Sequence, residues 1–148
     1  MLNSSNYEEL MSSTPEATKS IFSSKWSNKA ISFGDIGEFP ISHGLYFVFL
    51  HNEVAYIGKA DKQHMADRCK QYIGSSSGGT LRKKIELVRQ CSPQDAIAFI
   101  KENMEARFIE IADVMSIPVL EEVAIWAFQS RLNAIKPEAF RFSRLALE

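Results

Sequence analysis

Two stretches of strand-like apolar character stand close together in this chain. Residues 44–50, GLYFVFL, are almost wholly aromatic, β-branched or leucine, and 54–57, VAYI, repeat that character after the short polar link His51-Asn52-Glu53. Such side chains fit a pleated, half-buried surface, and the short link predicts a β-hairpin. Residues 107–111 alternate enough to add a third strand. Helical spacing accounts for most of the remainder. Thr14-Pro15-Glu16 is a helix start, with threonine as N-cap and proline in the first turn, for a helix reaching about Trp26. Asp61 can cap a second helix as far as Tyr72, ended by Gly74, with Met65, Arg68, Cys69 and Tyr72 on its inner side. Residues 81–88 read as a third helix, Ser92-Pro93 opens a fourth through Ile100, and Pro118 opens the last, as far as Leu132. Residues 27–43 read as an irregular loop packing Phe33, Ile36 and Phe39, and 74–79, all glycine and serine, as a flexible one.

The order of elements predicts a small α/β (α+β) domain, with a short, mainly antiparallel sheet covered by helices. The strands are too few for a doubly wound fold. At 148 residues the chain can bury one proper core. The expected organisation is an amino-terminal helical arm and packing loop over 1–40, a domain over 41–140 and a tail over 141–148. Residues 1–10 lack the basic and apolar regions of a leader, and no apolar run approaches the roughly 20 residues that span a bilayer, so no membrane role and a cytoplasmic location are expected. Cys69 and Cys91 form no CxxC and have no zinc-finger spacing with His43, His51 or His64, which predicts reduced thiols and no structural zinc.

The formal charge of −1 argues against nucleic acid when taken as a total. Its distribution changes that. Residues 59–90 hold eight basic side chains against three acidic ones, a balance of +5 that leaves −6 for the rest of the chain. This is compatible with one basic face on an acidic body, and equally with solvated helix surfaces.

Phosphodiester hydrolysis needs a water, a group to take its proton, and positive charge for the developing oxyanions. Tyr46 and Tyr56 lie on the two strands of the hairpin, and one pocket can receive both hydroxyls if the register puts them on one face; the other reading is sheet packing with solvated hydroxyls. Arg68, on the inner side of its helix, is suited to clamping a phosphate oxygen through two donors, or equally to lying over apolar neighbours as a surface arginine, and Tyr72 reaches the same region one turn later. On a wheel of about 100° per residue, Ile125, Phe128 and Leu132 fall within about 40° of Glu121. Glu122 falls about 100° away beside Gln129 and is the ordinary solvated glutamate. A carboxylate in an apolar arc must be protonated, paired or metal-bound, and Mg²⁺ is usually held by one or two carboxylates with waters and substrate oxygens. Asn133 closes the last helix as a C-cap or as a support for this site. The segment Gly78-Gly79-Thr80-Leu81-Arg82-Lys83 places helix-start amides beside basic side chains, an arrangement suited to phosphate.

Gly44-Leu45-Tyr46, Tyr56-Ile57-Gly58-Lys59-Ala60, Arg68 with Tyr72 four residues on, Glu121, and Asn133 twelve after it together resemble the ordered motifs of the GIY-YIG nuclease family, over about residues 40–137. The resemblance implies a metal-dependent DNA endonuclease with a central three-stranded antiparallel sheet flanked by helices. It implies that Tyr46 activates the water with help from Tyr56, and that Arg68 clamps the phosphate. Glu121 is then the sole protein ligand of Mg²⁺ or Mn²⁺, with Gly44, Gly58 and Asn133 as structural support. Lys59, Tyr72, Arg82 and Lys83 are expected along the DNA. Leu45 replaces the usual isoleucine, and Ser130 stands where many members carry proline before the asparagine. No appended recognition module is visible, so target choice falls to the core, the amino-terminal arm or a partner protein. Cutting both strands would require a homodimer or two successive events. Two other readings remain: a binding module that keeps the fold without cutting, and a nuclease acting on RNA or branched DNA.

Overall fold

A computed structural model describes residues 10, 13–27, 29–74 and 79–135. The expected tail over 141–148 lies outside these residues, as does most of the glycine-serine loop. The described part is a mixed α+β structure around an antiparallel sheet of four strands, not three: β1 (Ile31–Ser32), β2 (Gly44–Leu50), β3 (Glu53–Ala60) and β4 (Glu105–Glu110), in the order β1-β4-β2-β3. β1 falls within the stretch expected to be irregular. It pairs Ile31 with Ala106 and Ser32 with Glu105, covering backbone that β4 would otherwise leave unpaired at the sheet edge.

His51 and Asn52 both have positive φ, 52° and 64°, so the hairpin closes on a two-residue turn whose twist suits the flanking strands. Tyr46 pairs with Gly58 and Val48 with Tyr56, while the register shifts between Val48 and Phe49 and leaves Ala55 as an unpaired bulge residue. At Gly44 the neighbouring strand comes so close that a Cβ would run into the carbonyl oxygen of Ile109. Only glycine fits there.

The sheet buries both faces. Tyr46, Val48, Tyr56, Ala106 and Phe108 face one core, which is shared with α2 (Met65–Ile73), α3 (Gly79–Arg89) and α4 (Pro93–Asn103). Leu45, Phe47, Ile57 and Ile109 face a second core, shared with α1 (Pro15–Lys25) and α5 (Ile117–Phe128). A short α6 (Arg131–Ala134) follows. Phe22 of α1 is fully enclosed against Phe47 and Phe128, with ring centroids 5.9 and 6.4 Å away. Trp26 adds edge contact to Phe49 at 5.1 Å.

Two helix boundaries differ from the sequence expectation. α2 begins at Met65, not after Asp61, because the free amides of its first turn are taken by the preceding loop: Met65 donates to the carbonyl of Ser42 at 2.8 Å and Ala66 to that of Pro40 at 3.0 Å. Asp61 is thereby released from capping. The last long helix stops at Phe128, since Gln129 takes a left-handed conformation (φ 49°), and the chain re-enters a helix only at Arg131. Among the described residues no helix is long and apolar enough to cross a membrane.

Truncating Phe22 tests how firmly α1 belongs to this core. Phe22→Ala removes a fully enclosed ring and is expected to cost about 3–5 kcal/mol, read as a lower midpoint in urea denaturation with the slope little changed. An unchanged midpoint would place α1 outside the cooperative unit.

Candidate active site

β3 is an edge strand of the sheet, and the candidate residues gather around that edge. Tyr46 and Tyr56 stand on the same face, joined there by Tyr72 from α2. The Tyr46 ring lies against Gly58, directly across the hairpin, where any Cβ would overlap it. The glycine of the second triplet is thus the seat of the tyrosine of the first. The Tyr46 and Tyr72 hydroxyls share a short hydrogen bond, and the Tyr56 and Tyr72 rings meet edge-on at 6.4 Å and 86°.

All three phenols resist ionisation. Burial holds Tyr46 well above its ordinary pKa, and Tyr72, Cys69 and Tyr56 push it the same way. Tyr72 is held well above for the same leading reason. Tyr56 is raised by burial and by Glu121, but here the Tyr72 hydroxyl and Arg68 pull in the opposite direction. Its phenolate therefore has neighbours that favour it. Beside them, burial pushes the Cys69 thiol up, out of the reactive range.

Arg68 is half-buried, with its guanidinium 5.7 Å from the centre of the Tyr72 ring. Burial alone would lower its pKa, but Tyr72, Tyr46 and Tyr56 outweigh that and raise it. Its Nη1 donates to Gln71 Oε1 at 2.9 Å, and Gln71 Nε2 donates in turn to Gln63 Oε1 at 3.2 Å. The arginine is therefore oriented before anything binds. It lines a cleft of about 240 Å³ with Lys59, Asp61, Lys62 and Gln63. Neither glutamine stands out in the sequence: Gln71 is a half-buried polar residue on α2 and Gln63 lies in the loop before it, and neither position carries a pattern.

Glu121 approaches from α5, which packs beside β3 on the other side of the sheet. It is half-buried, whereas Glu122 is exposed, so the wheel separates the two correctly. The expectation that it interrupts the apolar face needs refinement. The buried arc is formed by Ile117, Leu120, Val123, Ala124 and Ala127, and Glu121 sits at its margin with the half-buried Ile125 and Phe128. Burial raises its pKa and Asp61 and Glu122 add to this, while Lys59 and Arg68 oppose it. The carboxylate thus shares its surroundings with three cleft-lining side chains.

Asn133 is not a C-cap of the long helix. Its side-chain amide binds both polar groups of Ile57 on the open edge of β3, accepting from the amide at 2.7 Å and donating to the carbonyl at 2.9 Å. Ser130, in the position expected to hold proline, donates its hydroxyl to the same Asn133 Oδ1. Two donors on one oxygen fix which way the amide points.

The residues expected along DNA divide. Lys83 is exposed and Lys59 half-exposed in the cleft. Tyr72 is fully enclosed in the core, against the other tyrosines, Arg68 and Gly79. Arg82 turns inward, donating from Nη1 to the carbonyl of Gly74 and pairing with Glu86 at 3.8 Å, so it ties the end of α2 to α3. One residue had gone unnoticed: Lys84, on α3 between Leu81 and Ile85, is only 7% exposed and reaches the tyrosine face. The wheel test that singles out Glu121 finds it as well, since it lies within about 60° of Leu81 on a helical face.

Comparison with protein-family models, with curated proteins and with solved structures finds no match to this chain.

The raised pKa of Glu121 makes a stability prediction. The folded chain holds that proton more tightly than the unfolded chain, so keeping the carboxylate ionised costs folding free energy as pH rises through the raised value. Glu121→Gln should therefore have a higher melting temperature than the parent at pH 7, and the gain should vanish below the ordinary glutamate value of 4.5. Equal melting temperatures at both pH values would show that the carboxylate is solvated.

Proposed function

We propose that this chain is a divalent-metal-dependent endonuclease of the GIY-YIG type that hydrolyses phosphodiester bonds of DNA in the cleft beside β3. The observation that carries this reading is one cleft lined by Arg68 and Lys59, near enough to Glu121 for both cations to act on its carboxylate, beside three buried tyrosines. Arg68, held by Gln71, is placed to clamp a non-bridging phosphate oxygen, and Lys59 adds positive charge beside it. Exposed Lys62 and Lys83 can follow the backbone to either side.

Tyr56 takes the proton of the attacking water as its phenolate, after releasing its own hydroxyl proton to solvent. Burial resists this ionisation, but the Tyr72 hydroxyl and Arg68 favour the phenolate, whereas at Tyr46 burial, Tyr72, Cys69 and Tyr56 all oppose it. Tyr46, to which the family resemblance assigns the base, then holds Tyr72 in position through the bond between their hydroxyls.

Among the described residues no three His, Cys, Asp or Glu side chains are grouped to hold a metal ion by themselves. That donor set fits a hard cation that takes one carboxylate, Glu121, and fills its other positions with water and phosphate oxygens. When bound, Mg²⁺ or Mn²⁺ would stabilise the charge developing on the leaving oxygen.

A second reading, a nucleic-acid-binding module that does not cut, draws on the enclosure of Tyr46 and Tyr72. One experiment separates the two. With supercoiled plasmid and Mg²⁺ or Mn²⁺ the protein should produce nicked circles, EDTA should stop it, and Arg68→Ala or Glu121→Ala should each lower kcat by about 10²-fold or more. DNA retained in EDTA and left intact when metal returns would establish the binding module. Absence of nicking in both metals, with neither variant differing from the parent, removes the endonuclease reading; the same assay on RNA and branched DNA identifies the preferred substrate.

A further inference from the structure

Lys84 is a cation almost wholly withdrawn from water, and burying such a group costs free energy unless partners offset it. Its Nζ lies 3.5 Å from the carbonyl oxygen of Asn133 and 5.4 Å from the centre of the Tyr56 ring. Asn133 is the residue whose amide binds both backbone groups of Ile57, the immediate neighbour of Tyr56. One ammonium therefore touches the tyrosine ring on one side and, on the other, the segment that fixes the strand carrying it. The rest of its environment agrees. Burial lowers its pKa, while the Glu121 carboxylate, on which Lys59 and Arg68 also act, raises it.

We propose that Lys84 is a positioning residue of the active site: its ammonium, seated on the ring of Tyr56 and anchored at the Asn133 carbonyl, fixes the direction in which the Tyr56 hydroxyl points. The attraction of an ammonium for an aromatic face is strongest where water is excluded, as it is here. A phenol hydroxyl is carried round by any rotation of its ring, and small misplacements of a reacting group have large effects on rate. This role rests on the endonuclease reading and adds to it a helix, α3, that supplies none of the expected catalytic groups.

The test compares the parent with Lys84→Met, which keeps length and packing but removes the charge, and Lys84→Arg, which restores a cation. In plasmid nicking at saturating metal, Lys84→Met should lower kcat by about ten- to a hundredfold while KM stays within about twofold, and Lys84→Arg should recover most of the loss. Nicking by Lys84→Met at the parental rate overturns the proposal, and so does a loss confined to KM, which would make Lys84 a DNA contact. NMR gives a readout that needs no turnover. The methylene protons next to Lys84 Nζ should be shifted upfield by the Tyr56 ring and should return to the free-lysine position in Tyr56→Leu. Unshifted protons in the parent overturn the proposal whatever the nicking shows. If the parent itself does not nick, the endonuclease reading fails and this role falls with it; if the parent nicks and Lys84→Met does so equally, only this role fails.

Discussion

The amide of Asn133 occupies the backbone hydrogen-bonding groups of Ile57, and the arrangement of the site follows from that pairing. β3 is an edge strand, and an unpaired edge leaves donors and acceptors open to water or to another chain. One side chain satisfies both groups at the residue between Tyr56 and Gly58. For Asn133 to arrive there, the chain leaves the long helix at Gln129, turns, and forms a four-residue helix, with Ser130 orienting the amide on the way. The same excursion presents the Asn133 carbonyl to Lys84. The edge is thereby closed at Ile57, while a cleft remains beside Lys59 and Ala60.

Opposed preferences meet along this edge. The hydrophobic core encloses three phenols and a thiol and holds them all neutral. Beside them stand Arg68, Lys59, Lys84, Asp61 and Glu121, whose charges partly offset one another and which water reaches only in part. Charges withdrawn from water interact more strongly than the same charges at a surface, and a polar substrate entering the cleft would meet them already oriented.

How much of this was legible in the sequence depends on whether the signal was local. The hairpin follows from two apolar runs and a two-residue turn. Glu121 is distinguished from Glu122 by phase alone, although the wheel misjudged the centre of the buried arc because it counted Leu132 as part of a helix that ends before it. The start of α2 was misplaced because Asp61 is a good cap by composition, while the carbonyls that actually receive the first amides come from Pro40 and Ser42, far back in the chain. β1 is two residues long and carries no periodicity of its own. Arg82 and Lys83 are neighbours in a basic run, and which of them turns inward is decided by Gly74 and Glu86. Lys84 lies in the apolar phase of its helix and was readable by the same wheel, had the test been applied to cations as well as to carboxylates.

The bulge at Ala55 carries a consequence for the pair of tyrosines. In a regular hairpin closed by His51 and Asn52, paired positions would sum to a constant set by the turn, placing Tyr56 opposite Phe47 and Ile57 opposite Tyr46. Tyr56 would then stand among the side chains of α1 and α5, and isoleucine would occupy the floor on which the Tyr46 ring rests. The single uncounted residue changes the parity of the strand beyond it, so Tyr56 joins Tyr46 and a glycine comes under the ring. Whether the two triplets form one site or two unrelated surface features is thus a matter of odd and even, decided by one alanine that pairs with nothing.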